Sequence, residues 1–188
     1  PSDATAHGLT EGGFARVSNT NGAVVLKVAL DAGLQAGSLF APIHWSAETA
    51  SHARIGAAVQ PACDPFSGQP EMKATPSAIA AVAFASQGFV ISRESFALPE
   101  GSWWAKVAVE GGEGRLFASD TAIESWMEHV RAAFGADGLA EMIDQKAGLY
   151  RCAVTKDNRL VAALFLAPAG RAPLWDTVKA SFATDAAP

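Results

Sequence analysis

The chain has 188 residues, of which 49% are hydrophobic and 18% charged, so it can bury a core and does not have the composition of a disordered tail. Its net charge of -5, with neither sign gathered into a long block, argues against nucleic acid as a partner. No apolar run reaches the length of a membrane span, so we expect no membrane partner and a cytoplasmic location. The chain begins with Pro1 rather than Met, which is compatible with a fragment or a processed product.

The first part of the chain predicts short β-strands separated by turns. One or two helical turns over residues 2–8 precede strands at Phe14–Ser18 and residues 23–30. Between these strands, residues 19–22 (NTNG) tolerate positive φ and predict a hairpin turn. Residues 38–45 predict a third strand, with a proline that marks an edge or a bulge.

A long segment without apolar periodicity follows, from residue 46 to residue 77. Its composition shifts to Ala, Ser, Gly, Pro and Asp over about 30 residues, and so long an irregular connection inside a compact domain is usually functional. We therefore expect a ligand to bind here.

The second part predicts strands and two amphipathic helices. The first helix, over residues 121–134, is expected to be capped by Asp120 or Thr121 and to end at Gly135. The second helix is expected over residues 173–182. The predicted strands cover residues 79–84, 88–96 and 103–109, and then residues 149–154 and 159–166, which form a hairpin around residues 156–158.

Spacing reveals no metal or nucleophile motif. Cys63 and Cys152 are too far apart for a zinc knuckle, an iron–sulfur cluster or a redox dithiol, and the four histidines lack an HExxH spacing. The glycine-rich run at residues 111–114 predicts a hairpin turn, because no Lys-Ser/Thr follows it at a helix start. Composition and spacing alone do not identify an enzyme.

A resemblance to a known family is carried by residues 64–76 (DPFSGQPEMKATP). They resemble the Asp-Pro-x-Ser-x-x-Pro-x-x-Lys stretch that closes the dinucleotide-binding domain of molybdopterin oxidoreductases, and all five fixed positions match. His44-Trp45 after an apolar run, and the loop at residues 51–59 (SHARIGAAV), resemble the same family. The segments Arg-Ile-Gly-Ala and Ser-Gly-Gln-Pro-Glu are most similar to the corresponding segments of bacterial assimilatory nitrate reductases.

The resemblance implies a mainly β fold with an α+β part. Residues 1–80 are expected to form a double-psi β-barrel of the molybdopterin dinucleotide-binding type, with the N-terminal strand missing. Residues 88–188 are expected to form a small α+β domain, so the boundary lies near residues 77–88. The hairpin at residues 150–168 resembles the segment that follows the barrel in these nitrate reductases, with an ordinary structural hairpin as the alternative.

The resemblance also implies cofactor-binding residues. Lys73 matches a lysine that contacts the dinucleotide, with a solvated surface lysine as the alternative. His44 and Trp45 match a strand end that approaches the pterin and the substrate funnel, with a purely structural role as the alternative. Arg54 is expected to contact the cofactor, steer nitrate or form a salt bridge. Gly56 stands where relatives often have Asn, so it offers the cofactor only its backbone.

The implied reaction is reduction of nitrate to nitrite for assimilation. The implied cofactors are molybdenum bis(molybdopterin guanine dinucleotide) and a [4Fe-4S] cluster, whose cysteines, like the residue that ligates molybdenum, lie upstream in the family. The expected partners are the remaining domains of the same enzyme, nitrate, and an electron donor such as ferredoxin or a flavoprotein. We expect the chain alone to be inactive. The alternatives are another molybdopterin oxidoreductase such as a formate dehydrogenase, and a non-catalytic binding or docking module.

Overall fold

The computed structural model describes residues 2–71, 73–171 and 175–183, which divide into two compact units, Pro1–Ala83 (unit 1) and Phe84–Pro188 (unit 2). The fold is mainly β with few helices, as predicted. In chain order the elements are α1 (Ser2–Ala6), β1 (Phe14–Ser18), β2 (Ala23–Lys27), a short 3-10 turn (Ile55–Ala57), β3 (Ala78–Val82), β4 (Ser86–Ser92), β5 (Trp103–Val107), β6 (Glu113–Ser119), α2 (Ile123–Phe134), β7 (Leu139–Asp144), β8 (Leu149–Lys156), β9 (Arg159–Pro168) and α3 (Asp176–Ala183).

Unit 1 contains an antiparallel sheet in the order β2-β1-β3. The central strand β1 pairs on both sides, so that Val17 lies opposite Val24 of β2 and Ile79 of β3. Phe14 and Val24 are buried, as the apolar pattern of the two strands predicts. The buried residues of the long loop are small, so this loop can pack closely on the sheet; they are Ala50, Ala53 and Ala58.

The strand predicted over residues 38–45 is wrong, because this segment has no regular structure. Its apolar side chains Leu39, Phe40 and Ile43 are 54%, 76% and 52% exposed. The edge of β2 is partly occupied by the later loop, since the backbone N–H of Val25 donates to the carbonyl of His52 at 2.8 Å. Pro42 also lacks an N–H for strand pairing. Both features disfavour pairing of this segment with the edge of β2.

Unit 2 contains a six-stranded antiparallel sheet in the order β5-β6-β4-β9-β8-β7. Alternating side chains of β4 and β9 point to opposite faces of the sheet, and a helix covers each face. On one face, Trp126 and Val130 of α2 pack on a cluster that includes Phe117 and Tyr150. On the other face, Phe182 of α3 packs on Phe89 and Ile91. These side chains place the core of unit 2 on both faces of the sheet.

The helix predicted over residues 121–134 forms as α2 and ends at Gly135 (φ 78°), as predicted, but its predicted caps are wrong. Its N-cap is Ala122, whose side chain makes no capping hydrogen bond. The two polar candidates have other partners. The carboxylate of Asp120 accepts the N–H of Ala85 at 2.8 Å, and the Thr121 hydroxyl accepts a hydrogen bond from Ser119 at 2.9 Å.

The predicted hairpin of β8 and β9 is confirmed. Lys156 and Arg159 pair across a two-residue turn, in which Asp157 and Asn158 have φ of 50° and 60°. These values suit a tight turn between twisted strands. The sequence pattern made no prediction for β6 and β7, which complete the sheet. The beginning of the helix predicted over residues 173–182 lies outside the described residues, which show α3 from Asp176 onward. No helix of the described residues is long and apolar enough to cross a membrane.

Candidate functional site

A groove of about 610 Å³ lies in unit 1, between the sheet and the irregular segments that precede and follow the 3-10 turn. Strands β1 and β2 contribute Val17, Val24 and Leu26 to its wall. Two of its described lining residues, His44 and Lys73, have ionisable side chains. The groove therefore combines apolar walls with a few polar side chains, which is the usual composition of a small-molecule site.

Lys73 is held in position by its neighbours in the loop. The carboxylate of Glu71 accepts the backbone N–H of Lys73 at 2.6 Å and that of Ala74 at 3.1 Å. The Lys73 side chain is exposed, and the described part of the chain provides no ion pair for its ammonium group. The backbone N–H groups of Lys73 and Ala74 thus have a partner in Glu71, while the ammonium group of Lys73 remains available to an anion.

The 3-10 turn Ile55–Ala57 contains Gly56, one predicted site residue, and begins directly after Arg54, another. The carbonyl of Arg54 accepts the N–H of Ala57 at 3.0 Å, which closes the turn. A β-carbon on Gly22, in the β1–β2 turn, would clash with the Ala57 carbonyl, so only glycine permits this close packing. Arg54 and Gly56 are exposed, and it is the neighbouring Ile55 that lines the groove. The structure therefore brings His44 and Lys73 together in the groove and leaves Arg54 and Gly56 beside it.

Trp45 does not line the groove either. It is half-buried and follows His44, which is exposed and lies in a turn rather than at the end of a strand. The next residues form a compact turn, in which the N–H of Ser46 donates to the Thr49 hydroxyl at 2.8 Å. His44 and Trp45 therefore occupy adjacent positions with different surroundings.

The Asp-Pro-x-Ser part of the motif builds a turn. One carboxylate oxygen of Asp64 accepts the N–H of Ser67 at 2.7 Å, the Ser67 hydroxyl at 2.9 Å and the N–H of Phe66 at 3.0 Å. The hydrogen bond from the Ser67 N–H is the largest of several that hold the pKa of Asp64 below its ordinary value. Phe66, at the tip, is 98% exposed. Asp64 and Ser67 thus shape the loop rather than contact the groove.

Two amide side chains join the arms of the loop, and sequence reasoning missed both of them. Asn19 bonds the Ala58 carbonyl and the Ser77 hydroxyl. Gln60 donates from its side chain to the Ala74 carbonyl at 3.3 Å. The sequence pattern marks Asn19 only as part of a turn, and no local pattern indicates hydrogen-bond partners so far along the chain.

Metal ligands are not clustered in the part of the chain that the structure describes, where no group of three or more His, Cys, Asp or Glu residues could hold a metal ion. Cys63 is exposed, whereas Cys152 is buried in the core of unit 2, and burial raises the pKa of its thiol to about 11. Neither thiol takes part in the groove. The described side chains of the groove are suited to binding an organic anion rather than to ligating a metal directly.

The sequence is similar to a family of domains that bind a dinucleotide, an organic anion of this kind. Residues 1–76 match the family model described as "Molydopterin dinucleotide binding domain". A nitrate reductase of Klebsiella oxytoca is 38% identical over 127 residues, which is 68% of this chain and 15% of that protein. The chain thus spans about 15% of the length of this relative. No solved structure matches the chain.

Proposed function

We propose that this chain, whose residues 1–76 belong to the molybdopterin dinucleotide binding domain family, is the cofactor-binding C-terminal portion of a molybdenum-dependent nitrate reductase. The observation that carries this proposal is the length of the match. The 127 residues similar to nitrate reductase exceed the 83 residues of unit 1, so the similarity extends into unit 2. A formate dehydrogenase would be expected to share the dinucleotide-binding domain without the part that follows it.

The groove of unit 1 fits an anionic dinucleotide. Its volume of about 610 Å³ lies within the usual range of ligand sites, and its apolar strands offer a surface for a planar ring. A phosphate requires a cationic partner, and Lys73 supplies one, because its ammonium group has no ion pair within the described residues. These features support the assignment of Lys73 as the residue that contacts the dinucleotide.

The residues of this chain would bind and orient the cofactor. When bound, the molybdenum cofactor supplies the oxygen-atom transfer that converts nitrate to nitrite. Lys73 would neutralise phosphate charge, and Ile55 and Val24 would exclude water from the groove. Arg54 was expected to steer nitrate, but it does not line the groove, whereas His44 does, so we assign the contact with nitrate to His44. Replacing His44 in the complete enzyme should raise the KM for nitrate more than it lowers kcat, and unchanged kinetics would refute this role.

Several finer features belong to the same proposal. They are a double-psi β-barrel completed by residues outside this chain, two molybdopterin guanine dinucleotides on the molybdenum, and a [4Fe-4S] cluster held upstream. Assimilation of nitrate in the cytoplasm, with electrons from ferredoxin or a flavoprotein, would follow. Trp45, Arg54 and Gly56 are proposed as supporting cofactor contacts at the margin of the groove.

The proposal is tested by Lys73→Ala in the complete enzyme. We expect this variant to lose molybdenum during gel filtration, because a phosphate would lose its cation. Lys27→Ala is the matched control, since Lys27 is an exposed lysine of unit 1 that does not line the groove. Full molybdenum content in Lys73→Ala would contradict the cofactor assignment. Assays with a reduced dye should show activity with nitrate and none with formate, and the isolated chain should be inactive.

A further inference from the structure

Asn19 uses its whole side chain to join three segments of unit 1. Its carboxamide oxygen accepts the N–H groups of Asn21 at 2.8 Å and Gly22 at 3.2 Å, which closes the turn between β1 and β2. Its amide nitrogen donates to the Ala58 carbonyl at 2.5 Å and reaches the Ser77 hydroxyl at 3.5 Å. Two donors face the oxygen and two oxygens face the nitrogen, so this network fixes the orientation of the amide.

The partners of Asn19 lie at the ends of the segments that carry the proposed cofactor contacts. Ala58 ends the 3-10 turn that begins after Arg54, and its own N–H bonds the Ile55 carbonyl at 2.8 Å. Ser77 lies four residues after Lys73, where the loop returns to the sheet. A displacement of Asn19 would therefore move both segments.

Gln60 connects the same two arms of the loop by separate bonds. Its backbone N–H donates to the Thr75 hydroxyl at 3.3 Å, and its side chain donates to the Ala74 carbonyl at 3.3 Å. The Glu71 carboxylate accepts the backbone N–H of Lys73. The arm that bears Lys73 is thus fixed at several points, and Asn19 is the side chain that ties it to the β1–β2 turn.

We propose that Asn19 is a positioning residue for the dinucleotide, holding the Arg54–Ala58 turn and the Lys73–Ser77 arm at the spacing that the groove requires. It acts through backbone and hydroxyl contacts and does not line the groove itself. The inference rests on the proposed function, because it assigns to Asn19 the task of placing residues that bind the cofactor.

The test is Asn19→Asp in the complete enzyme. A carboxylate keeps the acceptor for the two turn N–H groups but turns the donor that faces Ala58 into an oxygen. We expect amide hydrogen exchange to accelerate at Ala58 and molybdenum to be lost about tenfold faster. Asn21→Asp is the matched control, because Asn21 is exposed and only its backbone takes part in this network.

Two further variants keep the test decisive. Asn19→Ser removes the bond to Ala58 without adding a charge, so it serves if Asn19→Asp does not fold, and the same effects are expected of it. If Lys73→Ala loses molybdenum while Asn19→Asp and Asn19→Ser retain it, the role of Asn19 is wrong and the cofactor site stands. If Lys73→Ala also retains molybdenum, the proposed function itself fails. Equal losses in Asn21→Asp and Asn19→Asp would show a charge effect and overturn the inference.

Discussion

Gly56→Asn is the change that most directly probes the margin of the groove. Gly56 lies in the 3-10 turn, outside the left-handed region of φ, and a β-carbon built on it would meet no atom within 4 Å. The backbone therefore does not require glycine here. The family resemblance implies that relatives often have Asn at this position, and the structure has room for that side chain.

The expected gain in cofactor affinity follows from one added hydrogen bond between the Asn side chain and the cofactor. A hydrogen bond between neutral groups contributes about 0.5–1.5 kcal/mol net. That free energy corresponds to about two- to twelvefold tighter cofactor binding. Because the site is exposed and unobstructed, the free energy of unfolding should change by less than about 0.5 kcal/mol. Binding should thus improve without a comparable change in stability.

The assay is the rate at which molybdenum leaves the complete enzyme after dilution, measured as metal that remains bound. Gly56→Ala is the matched control, since it removes the glycine and adds the same β-carbon without an amide. We expect slower loss from Gly56→Asn than from Gly56→Ala or the natural enzyme. Equal rates in the two variants would refute the idea that an amide at this position reaches the cofactor.

Two further predictions concern the scaffold. The Tyr150 hydroxyl donates to the Glu141 carboxylate at 2.8 Å from a fully buried ring. Tyr150→Phe should therefore lower the free energy of unfolding, measured by urea titration, by about 2 kcal/mol. An unchanged urea midpoint would be inconsistent with this bond. The folded pKa of Asp64 is lowered, so its contribution to stability should be present above about pH 4 and be lost as the pH falls through the folded pKa. Asp64→Asn should remove this part of the acid dependence, and identical unfolding profiles of the two proteins against pH would contradict it.

Elements with local signals could be predicted from the sequence. The β8–β9 hairpin forms around Asp157 and Asn158, which tolerate the positive φ that the turn needs. Strands β6 and β7 gave no such signal. In β6, Arg115 forms an ion pair with Glu113 and lies over the Trp104 ring at 5.1 Å, so charged residues occupy a strand between two neighbours. Their place in the sheet depends on partners that are distant in sequence.

In the candidate site, too, local sequence signals predict some residues, and contacts between distant residues determine others. Of the five residues that the resemblance selected, the structure places two, His44 and Lys73, in one groove and the other three outside its lining. The resemblance did not select Asn19, because the partners of its amide, Ala58 and Ser77, lie 39 and 58 residues away. An asparagine next to a turn glycine predicts a turn whether or not its amide also binds a distant loop. Only the fold distinguishes these two roles.

The motif that carries the family resemblance combines two physical tasks. Asp64 and Ser67 build a turn through hydrogen bonds within the loop, and the N–H of Asp64 donates to the Gln69 carbonyl at 2.9 Å as the chain returns. Glu71 then accepts the backbone N–H of Lys73, and the Lys73 side chain adds a cationic group to the groove lining. A change at Asp64 should therefore alter loop stability first and cofactor retention only as a consequence, whereas a change at Lys73 should alter retention alone. Matching all five fixed positions thus implies both the shape of the loop and the charge that the loop presents.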